Sequence, residues 1–378
     1  MQYRKFKDIN LSAIGLGMMR LPVAESGGFG KSGTDIEKTT EMVRYAVENG
    51  VNYIDTAFNY MSAESEKVTG IALDGIRDKV YIATKAPTWL FKESSDFDTI
   101  LAKQLNRLKT DHIDFYLLHS MNKKTWKKTV VDLGIIEKLF QAKKDGKIKY
   151  AGFSFHDDYD TFKEIIDTCD WDFCQIQLNY LDTKNQAGIK GLEYAFSKNI
   201  PVNIMEPLRG GYLADIPESV KKVFDTSEHK KSPVEWGLDY LWNRKEVCVV
   251  LSGMSNIEQV KENIEYASRA SIGMIDEKGA VLYDKACNEF GKLHTIPCTG
   301  CSYCMPCPKN VAIPYNFNAY NQYKTSHDYA ANKRLYDNWV PMFGEKSSAC
   351  VGCKKCEEIC PQHIKISEWM PKITELFK

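Results

Sequence analysis

Eight short, almost uninterrupted apolar runs recur through residues 1–287, and each is followed by a longer amphipathic stretch. The runs are SAIGLG (12–17), VNYID (51–55), KVYIAT (79–84), IDFYLLH (113–119), IKYAGF (148–153), FCQIQL (173–178), PVNIME (201–206) and VCVVLSG (247–253). Runs of this kind suit parallel strands covered on both faces. The intervening segments carry helical spacing: in 35–50 the apolar positions are Ile36, Met42, Val43, Ala46 and Val47, with Gly50 as the stop. Further helices are expected in 96–110, 132–146 and 256–270, the last opened by Asn256 as an N-cap. Eight strand–helix repeats fit a closed (β/α)8 barrel, an α/β fold. The rival is an open doubly wound sheet, which ordinarily carries a glycine-rich dinucleotide loop. Gly15-Leu16-Gly17 begins like one, but Arg20 takes the third glycine's place; GGFGKSG (27–33) mimics a phosphate loop, but Glu25 stands where its first glycine belongs. Both are read as turn glycines, and the barrel is preferred.

The cysteines divide the chain. Of twelve, eight fall between Cys298 and Cys360, leaving Cys169, Cys174, Cys248 and Cys287 scattered before them as small buried hydrophobes. The shift near residue 288 is read as a boundary between a barrel, 1–287, and a mainly helical tail domain, 288–378. Fifty Lys+Arg balance fifty Asp+Glu, so the basic excess of nucleic-acid or membrane-surface proteins is missing. No run approaches the roughly 18 apolar residues of a membrane span. The N-terminus MQYRKFKDINLS lacks a signal peptide's apolar core. A cytoplasmic protein is expected.

Barrel chemistry sits at the C-terminal ends of strands. Asp55 ends the second run, Tyr60 follows five residues on, Lys85 ends the third and His119 the fourth. Singly, the Asp suits a turn cap, the Tyr a barrel plug and the His a rim position. Lys85 is different, because an ammonium closing an apolar run needs a carboxylate partner. Together they suit carbonyl reduction: a carbonyl accepting hydride needs a proton donor and stabilising donors. An adjacent lysine makes a tyrosine a better acid by favouring phenolate. Asp55 would hold Lys85, and His119 would orient the substrate oxygen.

At these residues the sequence resembles the aldo-keto reductase superfamily. DTAFNY (55–60), the Lys of IATKAP (82–87) and the His of YLLHS (116–120) match its ordered tetrad; GFSFH, QIQLNY, MEPLRGG and LSGMSNIEQVKEN resemble its cofactor segments. The resemblance covers about residues 5–270. It implies hydride transfer between NADP or NAD and an aldehyde, ketone or alcohol, with Tyr60 as general acid. It further implies Ser154 and Gln175 on the nicotinamide carboxamide, Met205 where many members stack a tyrosine, and Leu208 and Gly210 along the pyrophosphate. Gly253, Asn256, Gln259 and Asn263 would flank the adenosine, Asn256 and Asn263 being equally suited to helix capping and packing. Gly253 and Gln259 replace the Lys and Arg that better-known members place on the 2′-phosphate, which leaves NADP preference open; Arg209 or Arg244 could compensate, though nothing in the sequence places them there. Trp89, Phe91 and Trp126 suit either a pocket wall or rim packing.

In the tail, Cys298-x2-Cys301-x2-Cys304-x2-Cys307-Pro308 precedes Cys350-x2-Cys353-x2-Cys356-x3-Cys360-Pro361. The second run has the bacterial [4Fe–4S] spacing and the first is one residue shorter; zinc is the structural alternative. The halves resemble the arms of a two-cluster ferredoxin, which implies one cluster on Cys298, Cys301, Cys304 and Cys360 and another on Cys350, Cys353, Cys356 and Cys307. Nicotinamide exchanges electrons in pairs and a cluster singly, so three functions stay open. One is an aldo-keto reductase whose clusters relay electrons or stabilise the tail. Another is a ferredoxin-linked reductase with a further barrel cofactor such as flavin. The third is a redox-sensing non-enzyme.

Overall fold

In a computed structural model of the chain, residues 1–24 and 33–378 are described. The glycine-rich 27–33 stretch therefore lies, except for Gly33, outside the described residues. The chain forms two compact units, one of residues 1–24, 33–207 and 235–275 and the other of residues 208–234 and 276–378.

Among the described residues, the first unit contains every strand. β1 (Tyr3–Phe6) and β2 (Ile9–Ser12) form an antiparallel hairpin. The remaining strands are β3 (Ile14–Gly17), β4 (Tyr53–Asp55), β5 (Tyr81–Ala86), β6 (Ile113–Met121), β7 (Ile148–Phe155), β8 (Phe173–Gln177), β9 (Val202–Met205) and β10 (Val247–Gly253). They close in chain order into a parallel barrel, with β10 against β3. All eight apolar runs thus become barrel strands, because helices and barrel interior bury both their faces. The hairpin plugs one end. Phe6 and Leu11 join a fully buried cluster with Tyr53, Phe115, Phe173 and Val249, residues at or near the starts of their strands. The opposite end is left for chemistry.

Gly15 and Gly17 are strand residues, not the turn glycines expected. A side chain at Gly15 would come within 2.8 Å of Leu251 and 3.0 Å of Tyr53, so the small residue makes room inside the barrel. The expected helices appear at Ile36–Glu48, Asp96–Leu108, Ile135–Lys144 and Ile257–Ser268. Asp35 caps the first by accepting from the Lys38 N–H, and Gly50 follows its end with φ +93°.

The second unit has its own core of Ile296, Val311, Ile313, Phe317, Tyr336, Ile366, Met370 and Ile373. Helix Ile313–Ser326 and helix Ile366–Leu376 supply much of it. Asn316, fully buried, ties it together: its amide donates to the carbonyls of Ala312 and Glu345 and accepts from the Ser347 N–H. Residues 208–234 belong to this unit through Phe224 on Tyr283 and Tyr212 on Phe290. The boundary expected after residue 287 falls inside a continuous helix, Glu277–Leu293. Among the described residues no helix is long and apolar enough to cross a membrane.

Candidate active site

Strand pairing brings the ends of β4, β5 and β6 side by side: Asp55 pairs with Ala83, and Lys85 with Leu117. Lys85, 1% exposed, donates to both carboxylate oxygens of Asp55 at 2.7 and 2.8 Å and to the Thr56 carbonyl at 2.8 Å. Its Nζ also stands 4.7 Å from the centre of the Tyr60 ring. The His119 ring lies 6.0 Å from that of Tyr60, edge to face. The four strand-end residues form one cluster.

Burial pushes the Asp55 carboxyl up and the attraction of Lys85 pulls it back; burial pushes Lys85 down and Asp55 opposes it. The bidentate geometry favours the ion pair. Burial first, then Lys85 and His156, hold His119 well below the ordinary histidine range. It is therefore a neutral imidazole near pH 7, able to donate from one nitrogen while leaving the positive charge on Lys85.

Two features behind the cluster were not legible in the sequence. Directly after Tyr60, Met61, Ser62 and Ala63 all adopt left-handed backbone, with φ of 50°, 55° and 70°. Each costs about 1–2 kcal/mol for an L-residue, strain that fixes how the chain leaves the tyrosine. Farther back, the fully buried Glu66 accepts from Thr84 Oγ1 at 2.7 Å and from Arg107 at 2.9 Å. Gln104 donates to Glu66 and to the backbone carbonyl of Lys85, and accepts from the Tyr116 hydroxyl. A charged, satisfied network thus grips the strand carrying Lys85. Glu66 lies in the polar stretch SAESEK, where nothing marks one carboxylate as buried.

The cofactor candidates fall into three groups. Ser154 and Gln175 pair across β7 and β8, both 1% exposed. Gln175 Nε2 donates to the Met205 sulfur at 3.7 Å, while its Oε1 has no hydrogen-bond partner among the described residues. A buried acceptor left in that state costs about 1–3 kcal/mol unless a ligand serves it. In the second group, Asn256 accepts from the Gln259 N–H and so caps Ile257–Ser268, and the Gln259 side chain accepts from the Ser255 N–H. Asn263 donates to Ser252 Oγ. These three amides thus have internal partners. Beside Gly253 lies a cation: Arg20 Nη1 is 3.8 Å from where a side chain on Gly253 would start. Arg244 lies instead against Tyr240. In the third group, Leu208 and Gly210 belong to the second unit. Gly210 has φ +69°, and a Cβ there would fall 2.0 Å from the Thr299 carbonyl oxygen. Arg209 lies over Tyr212 in the same unit.

Of the aromatic candidates, Trp89 is half exposed with its ring 5.1 Å from His119. Phe91 and Trp126 are buried, packing on Phe97 and Trp171 respectively.

The tail cysteines assemble into two sets. One hollow is lined by Cys298, Cys301, Cys304 and Cys360, the other by Cys307, Cys350, Cys353 and Cys356. These groupings follow the crossed sets that the ferredoxin resemblance implies. Burial, and then neighbouring cysteines, push the Cys304 thiol up; burial foremost pushes Cys356 to about 11.

A barrel with Asp, Tyr, Lys and His gathered at its strand ends, in one chain with a segment carrying two four-cysteine hollows, defines an oxidoreductase with an iron–sulfur type segment. Residues 13–280 match the aldo/keto reductase family, and residues 297–364 match the 4Fe-4S dicluster domain. The chain belongs to the aldo/keto reductase family. It is 28% identical over 293 residues to an uncharacterized oxidoreductase, YqkF, of Bacillus subtilis, spanning 69% of this chain and 89% of that one. The fold is shared with the holo form of an aldo-keto reductase from Bacillus halodurans (TM-score 0.63, 24% identity, 76% and 96% of the chains). It is also shared with an aldo-keto reductase from Klebsiella pneumoniae in complex with NADPH (TM-score 0.60, 20% identity, 74% and 92%).

Proposed function

We propose that the protein transfers hydride between NAD(P)H and an aldehyde or ketone, with Tyr60 as the proton donor. The observation that carries this reading is the position of the Lys85 ammonium, clamped by Asp55 and 4.7 Å from the Tyr60 ring. A positive charge there stabilises phenolate and so makes the phenol a usable acid near neutral pH. Neutral His119 donates to the substrate oxygen and directs it toward Tyr60, and the half-exposed Trp89 ring forms an apolar wall beside it.

A bound reduced nicotinamide supplies the hydride. Ser154 and Gln175 hold its carboxamide, a role supported by the unpartnered Gln175 Oε1, which suits an amide N–H. Met205 gives the ring a thioether surface in place of a tyrosine. Leu208 and Gly210 are assigned to the pyrophosphate, and Gly253, Asn256, Gln259 and Asn263 to the adenosine, by resemblance. Arg20 beside Gly253 offers a cation for a 2′-phosphate, which favours NADP. In the tail, each four-cysteine set holds a [4Fe–4S] cluster.

The test is anaerobic oxidation of NADPH and NADH with a panel of small aldehydes and ketones. Tyr60→Phe should lower turnover roughly a hundredfold or more; undiminished turnover would remove Tyr60 as donor. Reduced ferredoxin driving turnover where neither nicotinamide does would favour the second reading, which the paired cysteine hollows also support: a reductase fed through its iron–sulfur segment.

A further inference from the structure

The two cysteine hollows differ in their walls. Lys309, Val351 and Lys354 edge the one containing Cys307, Cys350, Cys353 and Cys356. Cys353 is the exposed member of the eight, and Val351 is 62% exposed. Among the described residues, the hollow of Cys298, Cys301, Cys304 and Cys360 has no charged residue in its wall, which includes the buried Thr299 and Phe317. Thr299 also closes on Gly210, the residue that resemblance assigns to the cofactor's pyrophosphate. Ile313 and Ile366 line both hollows, so the sets are neighbours.

Building on the two-cluster reading, we propose that the clusters are ordered. Electrons enter at the Cys307–Cys350–Cys353–Cys356 set, from a small acidic one-electron carrier docking over Lys309, Val351 and Lys354, and pass to the Cys298–Cys301–Cys304–Cys360 set. A cluster gains a negative charge on reduction. Nearby ammonium groups and solvent stabilise that charge, so the outer cluster has the higher potential and fills first. The lysines attract an acidic carrier, and Val351 supplies apolar contact beside the exposed cysteine. Each carrier is oxidised by one electron and one cluster is reduced by it, with no bond made or broken and no proton moved. Two encounters leave one electron on each cluster, the same pair that a hydride carries.

The experiment is a potentiometric titration, followed by electron paramagnetic resonance, of the full chain with its clusters reconstituted. Two reduction waves are expected, and the double variant Lys309→Gln/Lys354→Gln should move only the higher one to lower potential. Stopped-flow reduction by an acidic [2Fe–2S] ferredoxin should slow with salt, and about tenfold or more in the double variant. Inseparable waves, a shift of the lower wave alone, or equal ferredoxin rates would overturn the ordering. Iron and sulfide counts separate the two failures. About four of each per chain defeats the two-cluster reading; about eight, with inseparable waves, defeats only this inference.

Discussion

Lys85 donates to both carboxylate oxygens of Asp55, and neither residue is more than 4% exposed. A buried pair of this kind is costly to break and much less costly to remove whole. Asp55→Asn should destabilise the fold by about 3–5 kcal/mol, because it strands an ammonium. The double variant Asp55→Asn/Lys85→Met should recover much of that loss. Urea unfolding of both proteins checks it, and a double variant no more stable than the single one contradicts it.

Glu66 is the carboxylate behind the lysine. Its charge helps hold Lys85 protonated, and its bond with Gln104 supports the strand that carries Lys85. With Glu66→Gln, Lys85 loses its proton at lower pH, so the alkaline limb of the kcat profile should move down in pH. A KM for nicotinamide cofactor that stays constant while kcat falls would place the effect at the acid, not at cofactor binding.

His119 gives stability a pH dependence with a definite sign. Its folded pKa lies well below the unfolded value near 6.5, chiefly through burial. Above that pH the imidazole is neutral in both states and contributes nothing. As pH falls from about 6.5 toward the folded value, the unfolded chain binds a proton that the folded one resists, and stability is lost. Thermal unfolding between pH 7 and 5 should show Tm falling, with a shallower slope in His119→Gln. Equal slopes would mean that His119 is not the group responsible.

How much of this was legible in the sequence follows from range. The eight strands announce themselves because a strand buried on both faces must be apolar along its length. Lys85 stands out because a charge ending such a run must be partnered, and the crossed cysteine sets follow from spacing and resemblance. The hairpin plug escapes because Phe6 and Leu11 look like any short exposed pair until the barrel closes over them. Glu66 and Arg20 escape because their roles come from partners distant in sequence. Gly253 looked like the loss of a cation, and only the pairing of β10 with β3 brings Arg20 beside it.

That proximity makes coenzyme preference testable. A charge-assisted contact contributes about 1.5–3 kcal/mol, so Arg20→Gln should raise KM for NADPH roughly tenfold to a hundredfold. KM for NADH should barely move, since NADH has no 2′-phosphate. Steady-state kinetics with both coenzymes decide the matter, and equal losses for the two would assign Arg20 to the shared part of the cofactor or to packing.

Gly210 offers the most localised test of the second unit. Its backbone is left-handed, and an added Cβ would sit 2.0 Å from the Thr299 carbonyl oxygen, well inside contact distance and against backbone that cannot swing aside. Gly210→Ala therefore combines a conformational cost of about 1–2 kcal/mol with overpacking of about 1–3 kcal/mol. Thr299 follows Cys298 and lies two residues before Cys301, so relief of the clash must move the cysteine loop. The variant should lose iron faster than the parent when challenged with a chelator, while the tail's other hollow, whose wall does not include Thr299, keeps its metal longer. Gly211→Ala is the control, because nothing lies within 4 Å of a Cβ at that position although its φ is +101°. Iron loss equal in the two variants would trace the effect to backbone strain, not to the contact with Thr299.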